Sequence, residues 1–336
     1  MEPSRIGVVV IGRNEGERLK TCLRSVVGIG PVVYVDSGSS DGSQAFARSL
    51  GVAVVELAVP PNFTAARARN AGAAALPATE LLQFVDGDCE VQAGWTEAAT
   101  AALDADTGLA LVFGRRRERS PDASIYNALA DDEWNVPVGE VGACGGDVLL
   151  RRAAFEAAGR YPEEMIAGED PDMSARMRGQ GWRLARIDAE MTLHDAAMLR
   201  FGQWWQRQKR AGHAAAELAW RHPRLPAPDW SGAVRRMVLW GGVGPALAFI
   251  GLVLAIVAGR LWLLLPLGYV MAMALNIARI ARRRRRQGLA PRLAQASALF
   301  LMIGKLSEFR GVARFHLDRV RGTRSRLIEY KAPARP

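Results

Sequence analysis

From Met237 to Gly259 this chain of 336 residues carries no charged side chain, and after Arg260 a second uncharged run extends from Leu261 to Ala278. As a helix the first run is roughly 34 Å long at 1.5 Å per residue, the depth of a bilayer's apolar core. Backbone in lipid must satisfy its own hydrogen bonds, so two such runs in succession predict a transmembrane helical hairpin. Arg260 falls at the tight turn beside Gly259. A long side chain there reaches the headgroups and escapes most of the roughly 2.5–3.5 kcal/mol cost of a mid-membrane charge. Arg235 and Arg236 precede the first run; Arg279 and Arg282–Arg286 follow the second. Positive residues at both outer ends place those ends in the cytoplasm. The expected location is the inner (plasma) membrane, with both termini and the preceding domain cytoplasmic. The net charge of +10 is accounted for by basic clusters at an anionic leaflet, so no nucleic-acid partner is expected.

The first two hundred residues mix charged and apolar side chains as a water-soluble domain does. "IGVVVIG" predicts a buried strand, followed by a loop and a helix over "ERLKTCLRSVVG". "PVVYVDSGSSDGS" repeats the plan, with a helix over "SQAFARSLG"; "VAVVEL" is a third strand, "FTAARARNAGAAAL" a helix and "ELLQFVDGD" a fourth strand. Apolar strands without alternation, separated by helices, predict a mostly parallel sheet between helices. Ligands of such sheets gather at the carboxyl ends of the strands. Asp36 ends the second strand, and Asp86 and Asp88 end the fourth. Two carboxylates at i and i+2 of extended backbone project to one side and repel unless a cation lies between them. Asp-Gly is also ordinary turn chemistry, so the local pattern leaves a metal site and a polar turn both open.

No GxGxxG follows the first strand and no Walker-type phosphate loop occurs, which argues against a dinucleotide or P-loop site. The opening apolar run is too short for a secretory h-region. The isolated Cys22, Cys89 and Cys144 have neither metal nor redox spacing and suit a reduced compartment. Organisation is expected as a catalytic domain over 1–200, an interfacial linker over 201–235, two transmembrane helices over 236–280 and a basic cytoplasmic segment over 281–336. In the last segment Leu299, Ile303, Leu306, Phe309 and Val320 fall near one helical face and predict an interfacial helix. Its uncharged core is short for a third span.

Over roughly residues 5 to 212 these motifs, in this order, resemble an inverting family 2 glycosyltransferase of the GT-A fold, the bacterial membrane-anchored type. "VVVIGRNEGERL" resembles the family's opening strand and loop, "VDSGSSDGS" its nucleotide-contacting segment, "ARARNAG" the helix facing the donor and "VDGD" the DxD motif. "GGDVLLRRAAF" resembles the acceptor-side loop, with Asp147 where relatives often carry Asn, and "GEDPDMSARMRGQGW" the ED motif. "QWWQRQKRAG" is a loose match to the Q-x-x-R-W motif of membrane-bound relatives. The resemblance implies a GT-A fold and transfer of a sugar, with inversion, from a nucleotide-diphosphate donor, a UDP-sugar being favoured. The acceptor implied is lipid-linked or a polysaccharide. It assigns nucleotide-sugar binding to Asn14, Glu15, Asp36, Asp41, Arg69 and Asp86, and acceptor binding to Gly145, Gly146, Asp147, Trp205 and Arg207. Asp170, beside Glu169, becomes the catalytic base. Asp88, with Asp86 and His194, would hold Mg²⁺ or Mn²⁺, since hard ligands suit those ions.

Several of these residues have plainer readings. Asp170 before Pro171 makes an ordinary helix N-cap. Asp36 is suited to an Asx turn in "DSGSS". A histidine at a strand end, such as His194, is more often structural than ligating. Trp204 and Trp205 suit interfacial anchoring, and Cys89 suits incidental packing. Two alternatives to the main reading stand beside it: a polyprenyl-phosphate sugar synthase of the same fold, in which the acceptor phosphate is itself the nucleophile, and a non-catalytic membrane scaffold binding nucleotide or polysaccharide. Retention of Asp86, Asp88, Glu169 and Asp170 together argues against the scaffold.

Overall fold

The computed structural model describes residues 4–58, 63–224 and 228–323. They form two compact units, one running to Leu199 and including Arg224 and Pro228, the other formed by Arg200–Pro223 and residues 229–323.

In the first unit the apolar runs are strands: β1 (Ile6–Gly12), β2 (Val32–Asp36), β3 (Ala53–Glu56) and β4 (Leu81–Asp86). They pair in parallel in the order β3-β2-β1-β4. Along β1, Val8 and Val10 enter one core with Leu19 and Leu23, while Val9 enters the other with Ala66 and Ala73. Because both faces are covered, the strand has no polar side to show and does not alternate. Gly12 lies opposite Asp36 and Ile11 opposite Asp86, so the ends of these strands share one rim.

Five further strands complete the sheet: β5 (Cys89–Val91), β6 (Leu109–Glu118), β7 (Gly139–Glu140), β8 (Val148–Arg151) and β9 (Arg183–His194). The order is β3-β2-β1-β4-β8-β6-β9-β5, with β7 on β9. β8 runs antiparallel between β4 and β6, which makes the sheet mixed. A buried run such as "VLLR" reads alike in either direction, and that is why the reversal is not visible in the sequence. The fully buried Trp95 fixes one face, its indole N–H donating to the buried Gln83 Oε1 at 2.8 Å.

In the second unit the uncharged runs lie within helical stretches Trp230–Val257 and Arg260–Arg286, each long and apolar enough to cross a membrane. Gly259, with φ +105°, makes the turn between them. Large apolar side chains stay uncovered along both, among them Ile256 at 86% and Val257 at 79% exposure. These helices fit a transmembrane hairpin.

The helix Pro291–Val320 packs within the second unit by its small residues more than by its large apolar ones. Leu299 and Val320 are exposed, while Ala294, Ala298, Gly304, Ser307 and Gly311 are buried. Close crossing of the helix Phe201–Arg221 explains this: a Cβ on Gly311 would sit 2.0 Å from the Lys209 carbonyl, and one on Gly212 2.0 Å from that of Glu308. Small residues are what such an approach admits. Trp204 is buried edge-on against Phe300, with ring centroids 5.0 Å apart, so packing rather than an exposed anchor is its role.

Candidate active site

The rim formed by β1, β2 and β4 carries a network of buried charges. Arg69, on the helix Ala65–Ala75 and only 2% exposed, is its centre. One guanidinium nitrogen donates to Glu169 Oε1 at 2.9 Å and Asp170 Oδ1 at 3.1 Å; the other donates to Asp86 Oδ1 at 2.8 Å. Burial opposes the Arg69 charge, but Asp170, Asp86 and Glu169 overcome it and hold the guanidinium protonated. On the far side of Asp86, Arg116 of β6 donates to Asp86 Oδ2 at 3.1 Å and pairs with Asp147 Oδ2 at 3.0 Å. Two arginines therefore stitch four acids into one cluster.

Asp170 is not the helix cap the sequence allowed. The helix Glu169–Gly179 begins two residues earlier than an Asp170 cap implies, with Gly168 as its N-cap at φ +89°, which places Asp170 second in the first turn. Its side chain is thereby free to face Arg69. Burial pushes the Asp170 carboxyl up to about 7, against the pull of Arg69. A carboxyl poised near neutrality is suited to taking a proton from a substrate.

Gly87 and Asp88 form a turn, not extended backbone, so the two acids of "VDGD" do not follow the i, i+2 rule. Gly87 N–H donates to the Ile11 carbonyl at 2.8 Å, and a Cβ there would stand 2.9 Å from that same oxygen. The glycine is required by close passage of β1. Asp86 turns to the two arginines, while the buried Asp88 faces His194, Oδ2 to Nε2 3.2 Å. Burial lowers the His194 pKa and Asp88 raises it further, for a net rise. Asp88, His194 and Cys89 each bring one ligand atom within 4.8 Å of the others. Cys89, expected as packing, thus stands at the cation site, its thiol raised well above the ordinary range by burial; for hard Mg²⁺ or Mn²⁺ the carboxylate and imidazole are the better-suited ligands.

The nucleotide-side residues shape the loops after β1 and β2. Asp36 is buried; its carboxylate accepts from Gly38 N and Ser39 N at 2.9 and 2.8 Å, Gln44 Nε2 at 2.8 Å and the Tyr34 hydroxyl at 2.8 Å. It therefore builds the Asx-type loop. Asp41 accepts from Gly16 N at 2.9 Å and Ser43 Oγ at 2.6 Å. Asn14, at φ +54°, accepts from Ser40 N at 2.8 Å, and Glu15 pairs with Arg18 at 2.8 Å.

Of the acceptor-side residues, Asp147 is 2% exposed and accepts from Asp86 N and Thr192 Oγ1, both at 2.9 Å. It holds the site together from beneath instead of lining a surface. A Cβ on Gly145 would meet nothing within 4 Å, whereas one on Gly146 would lie 2.2 Å from Arg69 Nη2 and 3.1 Å from Asp86 Oδ2. Gly146→Ala is expected to push Arg69 aside by about 1 Å and lower turnover about 10²-fold with the melting temperature nearly kept; unchanged turnover would show that Arg69's position is not critical. Trp205 and Arg207 belong to the second unit, where the Arg310 guanidinium lies 5.6 Å from the Trp205 ring.

Arg116 and Glu118 were missed. In "GRRRER" five charges crowd six positions and read as a solvated edge, and irregularities in the pairing of β6 with β9 break the period-two alternation there. Glu118 is buried at the end of β6, opposite His194 in register.

Comparison with known proteins agrees with this geometry. Residues 7–156 match the family description Glycosyl transferase family 2. This chain carries a family 2 glycosyltransferase domain. The pre-mycofactocin glycosyltransferase of Mycobacterium tuberculosis is 29% identical over 273 residues, covering 76% of this chain and 56% of that protein, so the chain spans little more than half of that relative's length. Glycosyltransferase AglE of Haloferax volcanii is 24% identical over 234 residues, covering 66% of this chain and 75% of AglE. Among solved structures, the mannosyltransferase PcManGT of Pyrobaculum calidifontis, in complex with GDP-Man and Mn²⁺, superposes with a TM-score of 0.56 at 18% identity, covering 95% of this chain and 89% of that one. The shared fold is GT-A.

Proposed function

We propose that this protein is a membrane-anchored glycosyltransferase that moves a sugar, with inversion, from a nucleoside-diphosphate sugar to a hydroxyl of a lipid-linked or polysaccharide acceptor. The observation that carries this reading is Asp170: a carboxyl raised to about 7, held on Arg69 beside Asp86 at the ligand-binding rim of a family 2 domain. Asp170 takes the proton of the acceptor hydroxyl as its oxygen bonds to the anomeric carbon. The bond from that carbon to the diphosphate breaks, and a single displacement inverts the centre. Arg69 supplies fixed positive charge where the leaving diphosphate gains negative charge. The two apolar helices, with Arg235, Arg236 and Arg282–Arg286 at their outer ends, would anchor the domain at the inner face of the membrane.

A divalent ion fits the donor set. Asp88 and His194, both buried, offer a carboxylate and an imidazole facing one another, hard and borderline ligands suited to Mn²⁺ or Mg²⁺. Asp86 stands beside them as a further oxygen donor if released from its arginines. When bound, the ion would neutralise charge on the departing diphosphate as a Lewis acid.

The test is incubation of the purified full chain with a panel of nucleotide sugars and extracted lipids in Mn²⁺ or Mg²⁺, with products identified by mass spectrometry. A glycosylated lipid or polysaccharide is expected, lost in EDTA. Asp88→Ala should fall in turnover by about 10²-fold or more while its melting temperature stays close to the parent's. Full turnover in EDTA, or by Asp88→Ala, would end the metal assignment.

A further inference from the structure

Glu118 does not contact any group assigned to the reaction except through one histidine, yet it is among the most completely enclosed acids in the first unit, its side chain having no exposed surface. Its Oε1 accepts from Ser120 N and Asn127 Nδ2, both at 3.2 Å, and its Oε2 accepts from Ala196 N at 3.0 Å. Three N–H donors drawn from the loop after β6, the helix Ile125–Trp134 and the loop after β9 leave the carboxylate no freedom to turn. The remaining approach to Oε2 is taken by His194 Nδ1, at 3.4 Å.

His194 is correspondingly fixed on all sides. Its strand pairs with β6 on one side, where Glu118 is its register partner, and with β5 on the other, where Cys89 is. The edge of its ring meets Trp134, with centroids 4.7 Å apart and planes at 74°. A carboxylate receiving three N–H groups is an acceptor toward the imidazole, so the ring nitrogen facing Glu118 carries the proton. Asp88 Oδ2, 3.2 Å away, is likewise an acceptor toward Nε2, and when a cation displaces the Nε2 proton the lone pair of that nitrogen is directed at the seat shared with Asp88. Two acceptors facing each other at that distance require a cation or a proton between them.

We infer that Glu118 is a positioning residue of the cation site: it fixes the Nδ1–H tautomer and the ring plane of His194, so that Nε2 and the Asp88 carboxylate present one divalent-ion seat. This rests on the metal reading given above and adds to it a carboxylate–histidine–metal chain, the arrangement by which outer carboxylates raise ligand basicity. A purely structural Glu118, stitching β6 to the neighbouring loops, would account for the three N–H bonds but not for a dependence of cation affinity on this side chain.

The experiment measures Mn²⁺ binding to the full chain in detergent by electron paramagnetic resonance of the free ion, without donor or acceptor, for the parent, His194→Ala and Glu118→Gln. The parent should bind, His194→Ala should bind much more weakly, and Glu118→Gln should lose about 10–100-fold in affinity. Because the Gln amide would oppose the N–H donors and the variant can fail to fold, the parent is also labelled with ¹⁵N-histidine. With only four histidines in the chain, the signal missing from His194→Ala identifies His194. In the Mg²⁺-loaded parent that ring should carry its proton on Nδ1 and none on Nε2. An Nε2–H tautomer, or a folded Glu118→Gln protein with parental Mn²⁺ affinity, overturns the positioning role while leaving the metal site standing. No Mn²⁺ binding by the parent, or undiminished binding by His194→Ala, instead overturns the metal reading and this inference with it.

Discussion

Asp170→Asn should lose about 10² to 10⁴-fold in turnover, the range general-base catalysis supplies, and should melt within a few degrees of the parent. The stability half of this expectation follows from where the residue sits. Gly168 caps the helix, and Asp170 is the second residue of the first turn, with no capping bond to lose. Asn keeps the side-chain oxygen that accepts from Arg69, and Glu169 and Asp172 keep negative charge at the helix start. The lost interaction with the helix dipole is worth about 0.3–1 kcal/mol. Removing one of three carboxylates crowded onto one guanidinium offsets part of that.

The activity half carries a sign in pH. With its carboxyl raised to about 7 by burial, Asp170 is protonated in acid and cannot accept a proton there. The parent's kcat/KM, which reports the free enzyme, should rise tenfold per pH unit below about 7 and level off above it. Residual activity of Asp170→Asn should lack that limb. Comparing pH profiles, nucleotide affinity and melting curves of the two proteins decides the matter. Near-normal turnover of the variant would remove Asp170 as base and favour an acceptor phosphate, which needs no deprotonation.

Which parts of this were legible beforehand follows from how much each residue's environment is local. The parallel half of the sheet was readable because β1, β2 and β4 are apolar on both faces and their acids fall one after another at the strand ends. Asp170 was placed by its motif, but the helix start was misjudged by two residues, since "GEDP" offers Gly168 and Asp170 as rival caps and Pro171 is tolerated anywhere in a first turn. Asp36 and Asp147 have the residue types of ligand contacts, yet their oxygens are used up by loop N–H groups and by strands β4 and β9. That distinction depends on burial, which no spacing encodes. Arg116 and Glu118 were hidden because neighbouring residues of an edge-like charge run point to opposite faces, and only strand pairing reveals which face is inside. Arg69 was found as a donor-side residue; its position between Asp86 and the ED motif, 17 and 100 residues away in sequence, is tertiary.

That position makes Arg69→Met the most destabilising of these substitutions. Methionine fills much of the arginine stem's volume, so the effect isolates the charge. Asp86, Glu169 and Asp170 would be left around a buried site with no guanidinium between them. Removing one partner of a buried pair costs about 3–5 kcal/mol, which for a unit of this size corresponds to roughly 6–20 °C in melting temperature. In the variant, Asp170 loses the guanidinium that pulls its carboxyl down, so burial raises it further above its unfolded value. A group raised in this way contributes its full stability below its unfolded pKa and loses it as pH rises through the folded pKa. The gap between parent and variant should therefore be widest at pH 8 and narrow toward pH 5, as Asp170 takes up its proton. Thermal unfolding of both proteins at the two pH values reads this directly. A variant melting with the parent at pH 8 would mean that Arg116 and solvent already satisfy Asp86 and the ED pair, and the central place given to Arg69 would be wrong. Arg69→Lys refines the same test. Its single ammonium keeps a positive charge, but cannot span the two directions in which Asp86 and the Glu169–Asp170 pair accept. It should recover much of the stability at pH 8 while turnover remains low, separating the charge that holds the rim together from the fork that aligns it.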